Sequence, residues 1–396
     1  MADPLVIIGA GQAASQLMAS LAQDGFAGEV CLVGDEPHLP YQRPPLSKKF
    51  LAGELTLDRL YVKPAAFYEK AGSRLLLGRR AERIDRGTRA VLLADGSRLP
   101  YSILVLATGS RPRELPLPGA FYLRSIADVD AIRPQLIPGK SLVVIGGGYI
   151  GLELAAVAVK LGVGVTVLEQ APRLMARGVG PVVSQFYARM HGEEGVVIRT
   201  SAVVRGLEGK RVVCEDAQYE ADIVVVGAGA VPNVELAREA GLPVEDGIVI
   251  DAECRTDDPA IYAIGDCTSQ HHDLVGRRLR LESVHNALEQ ARIAAAAICG
   301  RKPPAIQVPW FWTDQYDVKM QMAGLSGGHD HAVVRGNPDT GRSFAVFYLR
   351  EGKLIAVDAV NRAPEFMMSR QLIGERARID PARLGDEGVA MKDMRN

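Results

Sequence analysis

Val143-Val144-Ile145-Gly146-Gly147-Gly148-Tyr149-Ile150-Gly151 decides the fold of this chain, because its design occurs twice. The earlier copy is Val6-Ile7-Ile8-Gly9-Ala10-Gly11-Gln12-Ala13-Ala14, with alanine in place of the last glycine. In each, a short β-branched run enters a G-x-G turn, and a helix with small residues on one side follows. Leu5–Ile8 and Leu142–Ile145 are the expected strands, and Ala13–Ala22 and Ile150–Leu161 the expected helices. Val30–Val33 and Val165–Leu168 read as the second strands, delivering Asp35 and Glu169 at their ends. The first glycine makes the tight turn, the second lets the backbone approach a pyrophosphate, and the third position lets the helix pack closely. The helix N-terminus then offers free N–H groups and a positive dipole to phosphates. One such turn can be simple strand–helix packing. Two in this context argue for two dinucleotide-binding βαβ units, with electrons passing from one dinucleotide to the other.

The acids refine the ligands. A carboxylate at the end of the second strand accepts hydrogen bonds from an unmodified ribose and repels a 2′-phosphate. Glu169 therefore points to NADH over NADPH. Arg173 and Arg177, slightly downstream, are the counterweight, since an arginine there could take a phosphate.

Length and composition bound the rest. A chain of 396 residues predicts two or three domains. Its 47% apolar and 23% charged residues are ordinary for a globular protein. A net charge of −1 gives no bulk attraction to nucleic acid or membrane. The first strand begins at Leu5, which leaves no room for a signal peptide. Glu153 and Lys160 interrupt the apolar stretch Leu142–Leu168, so it reads as strand, turn, helix and strand rather than as a membrane span. The expectation is a cytoplasmic protein. Cys31, Cys214, Cys254, Cys267 and Cys299 are widely spaced without C-x-x-C, which fits reduced thiols and no metal or iron–sulfur site of the chain's own. His271, His272, His329 and His331 fall in polar or glycine-rich segments and read as solvated loop positions.

Further punctuation sets the domain order. Leu104-Val105-Leu106-Ala107-Thr108-Gly109 is a strand ending on a small-residue turn, with Pro112, Pro116 and Pro118 following, as at a domain crossing. Ile223 to Asn233 repeats this pattern after the second βαβ unit, and Ile261-Tyr262-Ala263-Ile264-Gly265-Asp266-Cys267 is a strand running into Gly-Asp. The predicted architecture is α/β. A first nucleotide-binding domain comprises 1–109 and 232–309, a second, inserted into it, comprises 110–231, and a C-terminal α+β domain comprises 310–396.

This ordered set of motifs resembles the glutathione-reductase-like flavoprotein reductases over roughly residues 5–310. The resemblance implies FAD at the first fingerprint and NAD(P)H at the second. Disulfide reductases and peroxidases of that kind carry one or two cysteines after the first βαβ unit, but Tyr41 to Leu51 contains none. Without a thiolate there is no nucleophile for disulfide or peroxide chemistry. Pro44-Pro45-Leu46-Ser47-Lys48, Arg124-Ser125-Ile126-Ala127-Asp128, Glu282 to Ala291 and Pro309 to Tyr316 are similar to the NADH-dependent ferredoxin reductases of bacterial oxygenase systems, a likeness that extends through Val360-Asn361-Arg362. Such proteins take hydride from NADH onto FAD and pass single electrons to a [2Fe–2S] ferredoxin, which supplies a cytochrome P450 or a Rieske-type oxygenase. Alternatives are a rubredoxin or other one-electron-acceptor reductase, and an apoptosis-inducing-factor-like NADH-responsive protein.

By that resemblance, Gly9, Gly11, Ala13, Ala14, Asp35, Arg43, Ala81, Ala107, Thr108, Gly109, Arg124, Asp266, Val284 and Trp312 contact FAD. Gly146, Gly148, Tyr149, Ile150, Gly151, Glu169 and Gly229 contact NADH. Lys48 and Glu153 form the catalytic pair, one beside the flavin and one beside the nicotinamide. A bare carboxylate on the apolar helix that carries Glu153 is costly to bury, and pairing with Lys48 would relieve that cost. Trp312 either packs the start of the C-terminal domain or faces the partner, for which Arg292 and Arg370 are docking cations. His285 either touches a cofactor or bonds to backbone at a helix start.

Overall fold

Leu5–Ile8 is buried at all four positions, as a parallel strand covered on both faces must be. It pairs in parallel with Val30–Gly34 on one side and Ile103–Leu106 on the other. Arg74–Leu77 and Ile261–Ala263 extend the sheet at its two edges, again in parallel. The chain thus builds outward from Leu5–Ile8 in one direction and restarts on the other side. Such a reversal is the switch point at which open α/β sheets place their ligands, at the carboxyl ends of the central strands. The helix Gln12–Asp24 turns Ala13, Ala14 and Leu17 inward and packs on Val284–Ile298, whose Ala287, Ala291, Ala294 and Ala295 are also buried. Small residues on both helices are what permits the close approach.

The second nucleotide fold repeats the plan. Ser141–Ile145 lies between Gly164–Leu168 and Ile223–Val226, with Val197–Arg199 and Phe121–Tyr122 outside them, all parallel. The helix Tyr149–Lys160 follows its glycine turn. A five-stranded antiparallel sheet completes the chain, in the spatial order Trp310–Gln315, Val318–Gly324, Lys353–Val360, Phe344–Arg350, His331–Gly336. The helix Ala363–Gly374 covers part of it. The α/β class, with two Rossmann-like folds and a C-terminal α+β portion, is therefore as expected.

This computed structural model describes residues 3–395. By compactness the chain forms two units. One holds the chain up to Arg43, Thr56–Arg111 and Ala230–Gln307; the other holds Pro44–Leu55, Pro112–Gly229 and the chain from Val308 onward. Among the described residues no helix is long and apolar enough to cross a membrane.

One expectation fails. His271 and His272 are not loop residues but the end of the strand Thr268–His272, which pairs on one side with Ile248–Ile250 and on the other with Arg277–Leu279. His272 is buried, and that burial lowers its imidazole pKa. A strand paired on both sides carries polar residues that a composition-based reading assigns to a loop. His331 likewise opens the strand His331–Gly336, although it is exposed there.

Candidate functional site

Both fingerprint turns are built alike. Gly9 has φ +104°, and a Cβ there would lie 2.2 Å from the Ala107 carbonyl oxygen. Gly146 has φ +112°, and its Cβ would lie 2.4 Å from the Gly227 carbonyl oxygen. Each therefore needs glycine for two reasons at once, a left-handed backbone and the close approach of the neighbouring strand. Gly11 and Gly148 differ: nothing lies within 4 Å of a Cβ built on either. Both are N-caps, of a 13-residue and a 12-residue helix, and neither helix has a side-chain cap or an acidic residue in its first turn. Two open cradles of backbone N–H groups at the positive ends of helices are what a pyrophosphate requires. The residues present fit two dinucleotides.

The last fingerprint position closes the helix onto the turn. A Cβ at Gly151 would lie 2.2 Å from the Gly146 carbonyl oxygen, whereas the first copy accommodates the buried Ala14. At the far end of Gly164–Leu168, Glu169 accepts from Gly147 N and Ala171 N, each at 2.7 Å. Its carboxylate is thereby held against the glycine turn. Arg173 spends its guanidinium on its own loop, donating to the carbonyls of Val179 and Ala176 and to Ser184 Oγ at 2.7–2.8 Å. Arg177 reaches Gly229, where a side chain would meet its Nη2 at 3.0 Å. Tyr149, the first residue of the helix, packs on Phe311 and points its hydroxyl at Met322 Sδ, 3.2 Å away. Ile150 beside it is exposed.

The expected FAD residues fall on strand ends and helix starts of the first fold, with two exceptions. Asp35 is exposed just past Val30–Gly34. Arg43 donates to Glu36 Oε1 at 2.9 Å and to the Tyr41 hydroxyl at 3.0 Å, so it is tied to the same strand end. Ala81 opens the strand Ala81–Asp85, and Val284 is the first residue of its helix, capped by Ser283. Thr108 exchanges bonds with Asn233, its hydroxyl donating to the Asn233 carbonyl at 2.6 Å and its own carbonyl accepting from Nδ2 at 2.8 Å. Asp266 accepts from Ser110 Oγ at 3.2 Å. His285 is the second residue of the Val284–Ile298 helix. Arg124 and Trp312 are the exceptions, since both belong to the second unit.

Lys48 and Glu153 come together. Lys48 Nζ lies 2.7 Å from Glu153 Oε1, and the carboxylate is only 4% exposed. Two further donors serve it: Ser47 Oγ at 2.5 Å from Oε2 and Thr313 Oγ1 at 2.6 Å from Oε1. A buried carboxylate with a cation and two hydroxyls against it is fully answered. Neither hydroxyl was foreseen. Ser47 adjoins Lys48 in the Pro44–Ser47 turn and could have been found from its neighbour, but Thr313 carries no local signal.

Trp310 and Trp312 alternate with Phe311, Thr313 and Gln315 along one strand. The two indoles lie 5.5 Å apart and are both half-buried, with the Arg370 guanidinium 5.7 Å from the Trp310 ring. Thr313 and Gln315 are buried instead. Arg292 is exposed on the Val284–Ile298 helix of the first unit, apart in the chain grouping from Arg370 and Trp312. The cysteines are inert in character: four of the five are buried, and burial pushes the Cys31 thiol up to about 11 and raises those of Cys254 and Cys267 as well.

Known proteins of this design exist. The family described as pyridine nucleotide-disulphide oxidoreductase matches residues 3–291, and one described as reductase C-terminal matches residues 310–395. Putidaredoxin reductase of Pseudomonas putida is 46% identical over 99% of this chain and 96% of its own. The ferredoxin–NAD(+) reductase component of the anthranilate 1,2-dioxygenase system of Burkholderia cepacia is 42% identical, over 99% of both chains. The solved covalent putidaredoxin reductase–putidaredoxin complex matches with a TM-score of 0.97 at 45% identity, covering 99% of this chain and 98% of that one.

Proposed function

This chain belongs to the pyridine nucleotide-disulphide oxidoreductase family, and from that premise we propose that it is an NADH-dependent ferredoxin reductase of an oxygenase system. It takes hydride from NADH onto FAD and passes single electrons to a [2Fe–2S] ferredoxin in the cytoplasm, and through it to a cytochrome P450 or Rieske-type oxygenase. The observation that carries the reading is the pair of open glycine cradles in a chain with no cysteine in Tyr41 to Leu51. Two dinucleotides and no reactive thiol leave direct transfer to an outside acceptor. The names of its relatives support that acceptor being a ferredoxin.

The domain division of 1–109 with 232–309, 110–231 and 310–396 is kept as part of the proposal, for FAD, NADH and partner. Gly9, Gly11, Ala13, Ala14, Asp35, Arg43, Ala81, Ala107, Thr108, Gly109, Arg124, Asp266, Val284 and Trp312 would hold FAD. Gly146, Gly148, Tyr149, Ile150, Gly151, Glu169 and Gly229 would hold NADH. Bound FAD supplies the conversion of one hydride into two single electrons. The chain's own part is to bind, orient and polarise. Glu169, pinned by two backbone N–H groups, stands where a 2′-phosphate would meet a fixed negative charge, and Arg173 is already spent within its loop. Lys48 offers a cation toward which negative charge can move, and Glu153 holds that cation in place. Trp312, Arg292 and Arg370 are assigned to the ferredoxin interface. The test is reduction of cytochrome c by NADH and by NADPH, with and without candidate [2Fe–2S] ferredoxins. A ferredoxin should stimulate the rate with NADH as the better donor; stimulation by none of them refutes the proposal.

A further inference from the structure

Glu153 is the end of a longer row of buried polar side chains. Thr313 donates to Glu153 Oε1 at 2.6 Å, and Gln315 Nε2 donates to Thr313 Oγ1 at 3.1 Å. Gln315 Oε1 lies 2.7 Å from His191 Nε2. An amide oxygen only accepts, so Nε2 carries the ring's proton. His191 Nδ1, 3.1 Å from the Tyr316 hydroxyl, is then the acceptor and the phenol the donor. Every hydrogen in the row points toward Glu153. Thr313, Gln315 and His191 are all buried.

Two further observations describe the far end of the row. His191 stands in the last turn of Pro181–Glu193, where the helix dipole favours the imidazolium. Burial lowers the imidazole pKa against the raising effects of the Gln315 hydrogen bond and of Glu194, so the neutral ring that the row requires is favoured. Tyr316 opens the two-residue turn between Trp310–Gln315 and Val318–Gly324, and its φ of +56° is the left-handed conformation that such a hairpin turn uses. Its ring caps His191 edge-on at 5.1 Å, and its hydroxyl reaches Nδ1 from there.

A proton wire requires each member to hand a proton on, and the amide of Gln315 interrupts one. Fixing a geometry requires only donors in order, and the row supplies them. We infer that Thr313, Gln315, His191 and Tyr316 form a positioning relay that holds the Glu153 carboxylate, and through it Lys48, in one orientation for electron entry from NADH. This rests on the roles proposed above for Lys48 and Glu153. The four are positioning residues, each acting through Glu153.

The test combines two measurements on the FAD-loaded enzyme. Stopped-flow reduction of the flavin at several NADH concentrations separates the limiting rate from NADH affinity. Thr313→Val should lower the limiting rate about tenfold, the scale of losing a hydrogen bond to a charged group, with affinity changed less than about twofold. Thr313→Ser should restore the rate, and Tyr316→Phe, at the far end, should lower it about twofold. Nitrogen NMR of histidine-labelled enzyme should show His191 as the Nε2–H tautomer, with its Nδ1 resonance moved in Tyr316→Phe. Unchanged limiting rates in both Thr313→Val and Tyr316→Phe, beside a slowed Lys48→Met, overturn the relay while leaving the Lys48–Glu153 reading in place. An unchanged rate in Lys48→Met overturns both. An Nδ1–H tautomer at His191 overturns the relay by itself.

Discussion

A carboxylate on an apolar helix has to find donors, and that requirement made Glu153 legible before any coordinates. The residue at 153 lies among Leu152, Leu154 and Ala155, and the resemblance pointed to Lys48 of the proline-rich loop as its partner. Their 2.7 Å contact follows from the cost of leaving either charge alone. Asp358 was not singled out, yet it faces the same problem with no cation against it among the described residues. It is buried on Lys353–Val360 and accepts from the Tyr348 hydroxyl at 2.6 Å, and that hydroxyl in turn accepts from Gly180 N at 3.1 Å. Burial pushes its carboxyl up to about 7, above the ~3.9 of an unfolded aspartate. The folded chain therefore holds this proton more tightly than the unfolded chain. The resulting stability is fully present below the unfolded value and is lost as pH rises to about 7, on the order of 4 kcal/mol in all. Thermal unfolding followed from pH 5 to 7.5 should show that decline in the native protein and a flatter profile in Asp358→Asn. Parallel profiles would remove Asp358 as the source.

At the scale of elements, the glycine turns separate backbone demand from ligand demand. Gly146→Ala places a methyl group 2.4 Å from the Gly227 carbonyl and at φ +112°. It should destabilise the protein by about 2–3 kcal/mol, read as a lowered midpoint in urea unfolding. Gly148→Ala meets nothing within 4 Å and has an ordinary φ of −84°. It should unfold within about 0.5 kcal/mol of the native protein, yet raise the KM for NADH about tenfold by crowding the backbone's approach to the pyrophosphate. Equal stability losses in the two variants would contradict this division. The elements themselves were readable because they are local: a β-branched run, a glycine turn and a small-residue helix declare themselves within a short window. Gln12–Asp24 and Tyr149–Lys160 match the expected helices to within a few residues at each end, where fraying and caps decide. Thr268–His272 was missed because its polar residues are covered by pairing on both sides, which no local pattern announces.

For the whole molecule, the absence of a cysteine from Tyr41 to Leu51 makes a claim about chemistry that can be tested on the intact enzyme. Alkylation of the native protein at pH 8 should leave ferredoxin reduction by NADH within about twofold of the untreated rate, since burial raises the thiol pKa values and lowers thiolate reactivity. Loss of most of the activity would return a thiol to the mechanism. The order of motifs along the chain determined the rest at this scale: two nucleotide folds, one inserted in the other, and a C-terminal portion beginning at the paired tryptophans. What the sequence by itself determined is therefore whatever contiguous backbone can encode: the two Gly-x-Gly turns, the acids at the strand ends and the missing thiol. Only the tertiary structure could decide what surrounds Glu153. Its partners Ser47 and Thr313 stand 106 and 160 positions away in the chain, and Gln315 and His191 meet across 124. Hydroxyls and amides at such separations have no periodicity to betray them; they become a site only when packing excludes water and leaves them to answer one another.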